Sequence, residues 1–482
     1  MTVALRRRAD IDLATFRRVA WEEQSVTIAP EALVEVAWRR RQFLALVAAD
    51  PARKLYGVNV HAGDGSDRVM TEAEQRDYAR GLHSATSFGE PLPRRVIRGI
   101  VLARLSNLIE GHAGVTPELV TTVAARLDGR PLAPVPRHGN GGPGEIQALG
   151  WLFEDVPSEL ALGIKEGMAL INGAPCAPAL LADATLCTDH ALGLAESVFG
   201  LAAAAMGVSP AIYDARLDAL WGDPFQAQAL RAIRANLEGA EPLAGDEHPQ
   251  PPVSFRILPR VLGNAHRVLA AARQAAEIAL PAVSDNPVFL FPRDSSDARQ
   301  ENAAGRFPDE PDDLGDVISN GGFHNGAAPA CIDTLTFALA DLAQLAQHQL
   351  QRLQTSERAL PGQDSLALGT LQMVAAGYAE EARTACVPSL LPLPGFGQND
   401  APAPSFFAWN RHDRVRGFVN GSITCLAAIS AQSLAQTGRA APPALRELLA
   451  TILELCPPVV ERRSLGPELG RLAAELGSGI PG

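Results

Sequence analysis

The stretch 328–354, APACIDTLTFALADLAQLAQHQLQRLQ, decides the fold class. Ile332, Leu335, Leu339, Leu342, Leu345, Leu350 and Leu353 recur at the spacing of one helical face, and Pro329 falls in the first turn, where a missing N–H does no harm. This is near the length of a long bundle helix. The same period of about 3.6 residues runs through 31–48, 92–109, 117–127, 191–206, 259–278, 366–384, 416–437 and 443–455. Almost no segment alternates apolar and polar residues as a half-buried strand does. The expected class is therefore all-α.

Gly/Pro-rich breaks separate these helices at 57–66, 131–144, 246–253, 308–326 and 388–404. Loops this long in a helical chain are more often functional than structural. Composition turns polar and proline-rich before Val253, which suggests a join between an N-terminal mixed region and a C-terminal bundle. The 482 residues are 47% hydrophobic and 20% charged, enough for a large core in a soluble globular chain. A net charge of -12, with Arg6-Arg7-Arg8 and Arg39-Arg40-Arg41 dispersed among acidic stretches, argues against nucleic acid as a partner. The six cysteines form no C-x-x-C pair and no zinc-type Cys/His spacing, so no metal is expected. Reduced thiols and the lack of an apolar N-terminal signal point to the cytoplasm. The apolar run 192–208 contains Glu196 and is short for a membrane span, so a buried helix is preferred.

Several ordered motifs reach beyond periodicity. They are Tyr56-Gly57-Val58-Asn59, Gly89-Glu90-Pro91-Leu92-Pro93, the glycine loop Gly139-Asn140-Gly141-Gly142-Pro143-Gly144-Glu145 and Lys165-Glu166-Gly167-Met168-Ala169-Leu170-Ile171-Asn172-Gly173. Gln250, Ser254, Arg256 and Pro259 follow, then Ser284-Asp285-Asn286-Pro287, Phe323-His324 and Gln398-Asn399-Asp400. Jointly, over about 55–400, this series resembles the histidine and phenylalanine ammonia-lyase family. The resemblance implies an ammonia-lyase-like all-α fold: an N-terminal lyase-like domain over 1–195 and a long-helix bundle over 196–482. It also implies a homotetramer whose active sites combine residues of three subunits.

The departures from the family pattern are selective. The family's Ala-Ser-Gly triplet, which cyclises into a methylidene-imidazolone, is here Gly142-Pro143-Gly144. Cyclisation needs a central residue that loses water, and proline has neither a hydroxyl nor an N–H. No Ser, Thr or Cys lies between Thr122 and Ser158 to replace it, so no cofactor is expected. Val253 stands for the family's second active-site tyrosine, and Asn399 for the glutamate associated with the substrate amine.

Each family residue that remains has a catalytic and a plainer structural reading. Tyr56 sits in a Gly-flanked loop; a free phenol ionises near about 10, so work as a base needs a neighbouring cation or preorganised donors, which Arg256 or His61 would supply. Otherwise it packs and hydrogen-bonds. The fork of Arg256 suits a substrate carboxylate, or a structural ion pair. Asn172 would donate to an oxyanion, or only fix the glycine loop. His61, His83 and His138 fall in or near these loops, and a lone histidine is more often structural than catalytic. Phe323, His324, Gln398, Asn399 and Val253 would shape the substrate cavity, and uncharged Asn399 suits a ligand without an amine.

Three functions stay open. The first is a lyase or cyclase of specialised metabolism, catalysing elimination or ring-closing conjugate addition on a carbonyl or carboxylate substrate, free or tethered to a carrier protein. Tyr56, Asn172 and His61 would be its catalytic residues. The second is a non-catalytic homologue that binds a small molecule or a partner. An ordinary ammonia-lyase is disfavoured by Pro143.

Overall fold

The computed structural model describes residues 2–79, 84–240, 250–291, 313–357, 359–360, 366–391 and 397–481. Five helices, Cys176–Met206, Leu258–Ala279, Ala327–Gln354, Leu371–Ala385 and Ser405–Thr437, pack side by side as the central bundle. The most extensive packing joins Ala327–Gln354 to Ser405–Thr437. The larger of two hydrophobic clusters runs from Val3 to Leu476 through this bundle, and a smaller one joins Trp38, Phe43, Leu55, Val58, Phe289, Phe291 and Val317. The domain boundary expected at 195 lies inside the continuous Cys176–Met206 helix.

The all-α reading holds, with four short strands added among the described residues. Thr2–Leu5 pairs in parallel with Ser25–Ile28, and Val288–Leu290 pairs antiparallel with Asp316–Ile318. Most helix bounds match the apolar period within a few residues, but two helices begin far earlier than expected. The helix expected at 191 starts at Cys176, and nearly every residue of its first half is buried. A helix buried all round has no polar stripe to reveal its period. The helix expected at 416 starts at Ser405, where Asn410, Arg411, His412 and Asp413 interrupt the apolar pattern. Their polarity is satisfied by tertiary partners: Arg137 bonds Asp413 at 2.8 Å and Asn410 at 3.0 Å. Among the described helices of eight residues or more, four had no expected counterpart: Glu72–Ala79, Ile146–Phe153, Pro224–Leu237 and Gly466–Leu476.

The stretches Glu166–Met206 and Ser405–Thr437 are long and apolar enough to cross a membrane, but 94% and 83% of their most apolar windows lie buried inside the protein. They are core helices, as expected for 192–208. All six cysteines are unpaired.

Candidate functional site

The Tyr56 loop owes its shape to its neighbours in sequence. Asn59 Oδ1 accepts from Leu55 N at 2.7 Å while its Nδ2 donates to the Arg53 carbonyl at 2.8 Å, so one side chain closes the turn from both ends. Gly57 has φ +62, and a Cβ there would meet Met168 Cε at 3.0 Å. Only glycine combines that conformation with that approach. The loop is thereby pressed onto the Glu166–Ile171 helix, which ends in Asn172.

Past the turn the chain folds back over the phenol. Gly63 N donates to the Tyr56 hydroxyl at 3.1 Å, and one residue earlier Ala62 N donates to the Tyr78 hydroxyl at 3.1 Å. Among the described residues no acceptor takes the proton of either phenol. Tyr78 is raised above the ordinary phenol range, first by burial and further by the charge Tyr56 would carry. His61, expected to serve Tyr56, turns elsewhere. Its Nε2 lies 2.6 Å from Arg68 Nη2, where it must be the acceptor because a guanidinium only donates. Its ring meets Tyr78 edge-on, with centroids 5.9 Å apart.

Asn172 lies next to this loop. Its Oδ1 accepts from Gly173 N at 2.7 Å, and Nδ2 faces only the Met168 thioether at 3.4 Å. A thioether is a weak acceptor, so the amide N–H pair remains available for a stronger one. The Asn172 carbonyl is held at 2.6 Å by Nη2 of the fully buried Arg104. Gly173, at φ +90, passes so near Asn107 and Ser284 that a Cβ would stand 3.1 Å from Asn107 Nδ2. Asn107 and Ser284 clamp each other: Ser284 N donates to Asn107 Oδ1 at 2.7 Å, and Asn107 Nδ2 donates to Ser284 Oγ at 3.2 Å. The turn carrying Phe323 abuts the same spot, a Cβ on Gly322 being 3.5 Å from Ser284 Cα.

Beneath lies a buried charge network. Lys165 Nζ and Asp285 Oδ2 pair at 2.5 Å with both side chains fully enclosed. Burial pushes the Lys165 ammonium below its ordinary range, and Asp285 opposes this. Glu145 accepts from Cys176 N and from Ala177 N, at 2.7 Å for the latter, at the N-terminus of the long Cys176–Met206 helix. Burial nevertheless raises its carboxyl to about 7, the two backbone donors opposing the shift.

The glycine loop ends against this scaffold, with a Cβ on Gly144 3.9 Å from the Gly173 carbonyl. The Gly142 carbonyl accepts from Ala403 N at 3.2 Å, and Gly142 itself is exposed. The methylidene-imidazolone of the resembling family does not fit these residues. Pro143 has no side-chain oxygen to lose as water, and the Gly142 carbonyl is engaged in a backbone bond.

Residues 397–399 complete the cluster. Gln398 N donates to Asp64 Oδ1 at 2.9 Å, and Asn399 Nδ2 lies 3.5 Å from where a Cβ on Gly63 would stand. The fold thus gathers Tyr56, Asn172, Asn399, Gly142-Pro143-Gly144 and the turn of Phe323 in one place. It does not bring Arg256 or Val253 there. Arg256 is exposed, its Nε bonded to the Pro251 carbonyl at 3.1 Å, and Val253 is 55% exposed on the same short helix. The expectation that Arg256 or His61 polarises Tyr56 within one chain is therefore corrected: the donor to its phenol is Gly63 N. His138 is exposed on the glycine loop, the His324 Nε2 is buried without a partner among the described residues, and His83 lies outside them.

Sequence reading missed Tyr78, Arg104 and the Asn107–Ser284 clamp. Tyr78 sits on a short polar helix with no motif around it. Ser284 lies within a recognised motif, but its pairing with Asn107 across 177 positions leaves no trace there.

Comparison with known proteins agrees with this architecture. A family model described as aromatic amino acid lyase matches residues 11–159 and 153–400. A histidine ammonia-lyase of Symbiobacterium thermophilum is 28% identical, covering 98% of this chain and 96% of its own. One of Geobacillus thermodenitrificans is 28% identical over 79% and 78%. Among solved structures, tyrosine aminomutase of Streptomyces globisporus superposes with a TM-score of 0.84 at 21% identity, covering 99% and 97%. The ergothioneine-degrading enzyme Ergothionase of Treponema denticola gives 0.86 at 18% identity, covering 99% of both chains.

Proposed function

We propose that this chain, which belongs to the aromatic amino acid lyase family, is a lyase or cyclase that works by tyrosine acid/base chemistry and does not release ammonia from an amino acid. The observation that carries this reading is the juxtaposition of a triplet unable to cyclise with a phenol and an amide whose hydrogen-bonding capacity is open. The fold does not dictate the reaction, since aminomutases, a histidine ammonia-lyase and an ergothioneine-degrading enzyme share it.

Elimination α,β to a carbonyl needs a base for the acidic α-proton and a donor for the enolate oxygen. Tyr56 is the base: its oxygen is held by Gly63 N, and its own proton has no acceptor among the described residues. Asn172 Nδ2 is the donor, rigid because its Oδ1, its carbonyl and the following glycine are all fixed. In the reverse sense the same pair supports conjugate addition, and an intramolecular nucleophile closes a ring. Asn399 beside Gly63 carries no charge to pair with an ammonium, which favours a substrate without an amine.

Arg256 stands exposed on the bundle flank, and we place it in the site of a neighbouring subunit, gripping a substrate carboxylate there. The protein is then a homotetramer whose sites draw on more than one chain.

The test is direct. Intact-mass measurement should return the sequence mass, near 50.9 kDa, with no deficit of two waters; such a deficit would contradict the reading. Histidine given to the purified protein should come back unchanged. A panel of β-substituted carbonyl acids, followed by the absorbance of the conjugated product, should include a substrate, and Tyr56→Phe should slow its turnover by about 10²–10⁴-fold. A Tyr56→Phe protein that binds ligands as before while the natural chain turns over none of the panel points instead to a binding homologue.

A further inference from the structure

The second phenol bonded to this loop, Tyr78, has no role in the scheme above, on which the following inference rests. Tyr78 reaches in from the Glu72–Ala79 helix and takes the Ala62 N–H, the donor immediately before the one held by Tyr56. Its direction is fixed from below: a Cβ on Gly167 would lie 2.7 Å from the Ala79 carbonyl and 3.1 Å from the Tyr78 carbonyl, so its helix rests directly on the one that ends in Asn172. The edge contact with His61 closes a third side. Position 253, where the resembling family has a second tyrosine, holds an exposed valine, so Tyr78 is the second phenol beside Tyr56 in this chain.

We propose that Tyr78 is the proton donor of the site, giving its phenolic proton to the departing group while Tyr56 removes the proton α to the carbonyl. In this step the Tyr56 phenolate takes the α-hydrogen, the C–H electron pair becomes the new C=C bond, and the bond to the leaving group breaks. That group leaves with its electron pair and the Tyr78 proton. Tyr56 ends protonated and Tyr78 ionised, and one proton passing from the first to the second restores the starting state.

The groups around Tyr78 favour this division of roles. From the loop it meets Tyr56 and His61, with the Arg68 guanidinium beyond His61 and Asp64 turned to Gln398 N. On its own helix Glu74 is bonded to Thr71, and on the helix below Glu166 is engaged with Thr116 and Gly163. No cation therefore touches the Tyr78 oxygen among the described residues, and burial raises its phenol above the ordinary range, which favours the protonated form. A phenol held protonated by burial is suited to the donor role in acid/base catalysis.

Only four tyrosines occur in the chain, so biosynthetic 3-fluorotyrosine labelling gives four fluorine signals, assignable by single Tyr→Phe variants of the full-length protein. In a pH titration the Tyr78 signal should move as Tyr56 ionises. In Tyr56→Phe, Tyr78 should ionise at lower pH. A Tyr78 signal blind to Tyr56, with its midpoint unmoved, overturns the pairing, and this readout needs neither substrate nor a stable Tyr78→Phe protein. With a substrate in hand, Tyr78→Phe should slow release of an alkoxide leaving group by about 10²-fold and that of a good leaving group far less. An equal loss for both overturns the donor role. Coupled phenols in a protein that turns over no carbonyl acid would leave the pair standing and sink the reaction instead.

Discussion

The segments 165–173 and 139–144 touch each other, yet they have fared differently. The first is sealed in: Lys165, Glu166 and Met168 are each 3% exposed or less, an ion pair holds Lys165, and Gly173 has no room for a Cβ. The second lies at the surface, with Gly141 and Gly142 exposed and nothing within 4 Å of a Cβ added to Gly142. The sealed segment positions Asn172 and matches the family pattern closely. The open one carries the triplet in which that pattern is lost. Packing constrains the first along its whole length, whereas in the second it bears on Asn140, which is buried and bonded to the Pro136 carbonyl, and leaves Gly142 open.

Lys165→Met should break the comparison most sharply if it is wrong. Removing one partner leaves Asp285 buried without its counterion, and denaturant unfolding should show a loss of about 3–5 kcal/mol. A loss below about 1 kcal/mol would mean the sealed segment is not held by its ion pair.

Glu145, between the two segments, sharpens it through pH. Its carboxyl titrates near 7 in the folded chain, against about 4.3 when unfolded. Between those values the native state holds a proton that the unfolded state has lost, so stability contributed by this group is complete below about 4.3 and declines until about 7. Glu145→Gln lacks that slope. Its stability relative to the natural chain should rise across the window by on the order of 3–4 kcal/mol and then level off, while other titrating groups cancel in the difference. A flat difference would show that the backbone donors of Cys176 and Ala177 outweigh burial.

The latch between the Tyr56 loop and residues 397–399 should respond more mildly. Asp64→Ala removes an exposed acceptor from Gln398 N, costing about 1 kcal/mol, and amide exchange at Gln398 should quicken. Unchanged exchange would mean that the two loops are held together by other contacts. The smallest effect is expected on the open segment, where Pro143→Ser should change stability by less than about 1 kcal/mol, chiefly through the freedom of the unfolded chain.

The helical class, the order of the motifs and most helix bounds were legible because an amphipathic face writes its period into the residues. The early starts at Cys176 and Ser405 were not, one because its helix is buried all round and the other because its polar residues find distant partners. Within the site, Tyr56, Asn172 and Asn399 were readable from motif position. The partners of Tyr56 were not: Gly63 N needs the loop to double back, and Tyr78 arrives on a helix with no motif.

Sequence by itself determined that the chain is helical and that Pro143 offers no group to dehydrate, since both follow from side-chain chemistry and local spacing. Tertiary structure alone decided that two phenols share one stretch of backbone, that residues 397–399 latch onto Asp64, and that Arg256 stands exposed with its Nε on the Pro251 carbonyl. Such proximities depend on how helices stack across hundreds of residues, and stacking is a property of the packed whole.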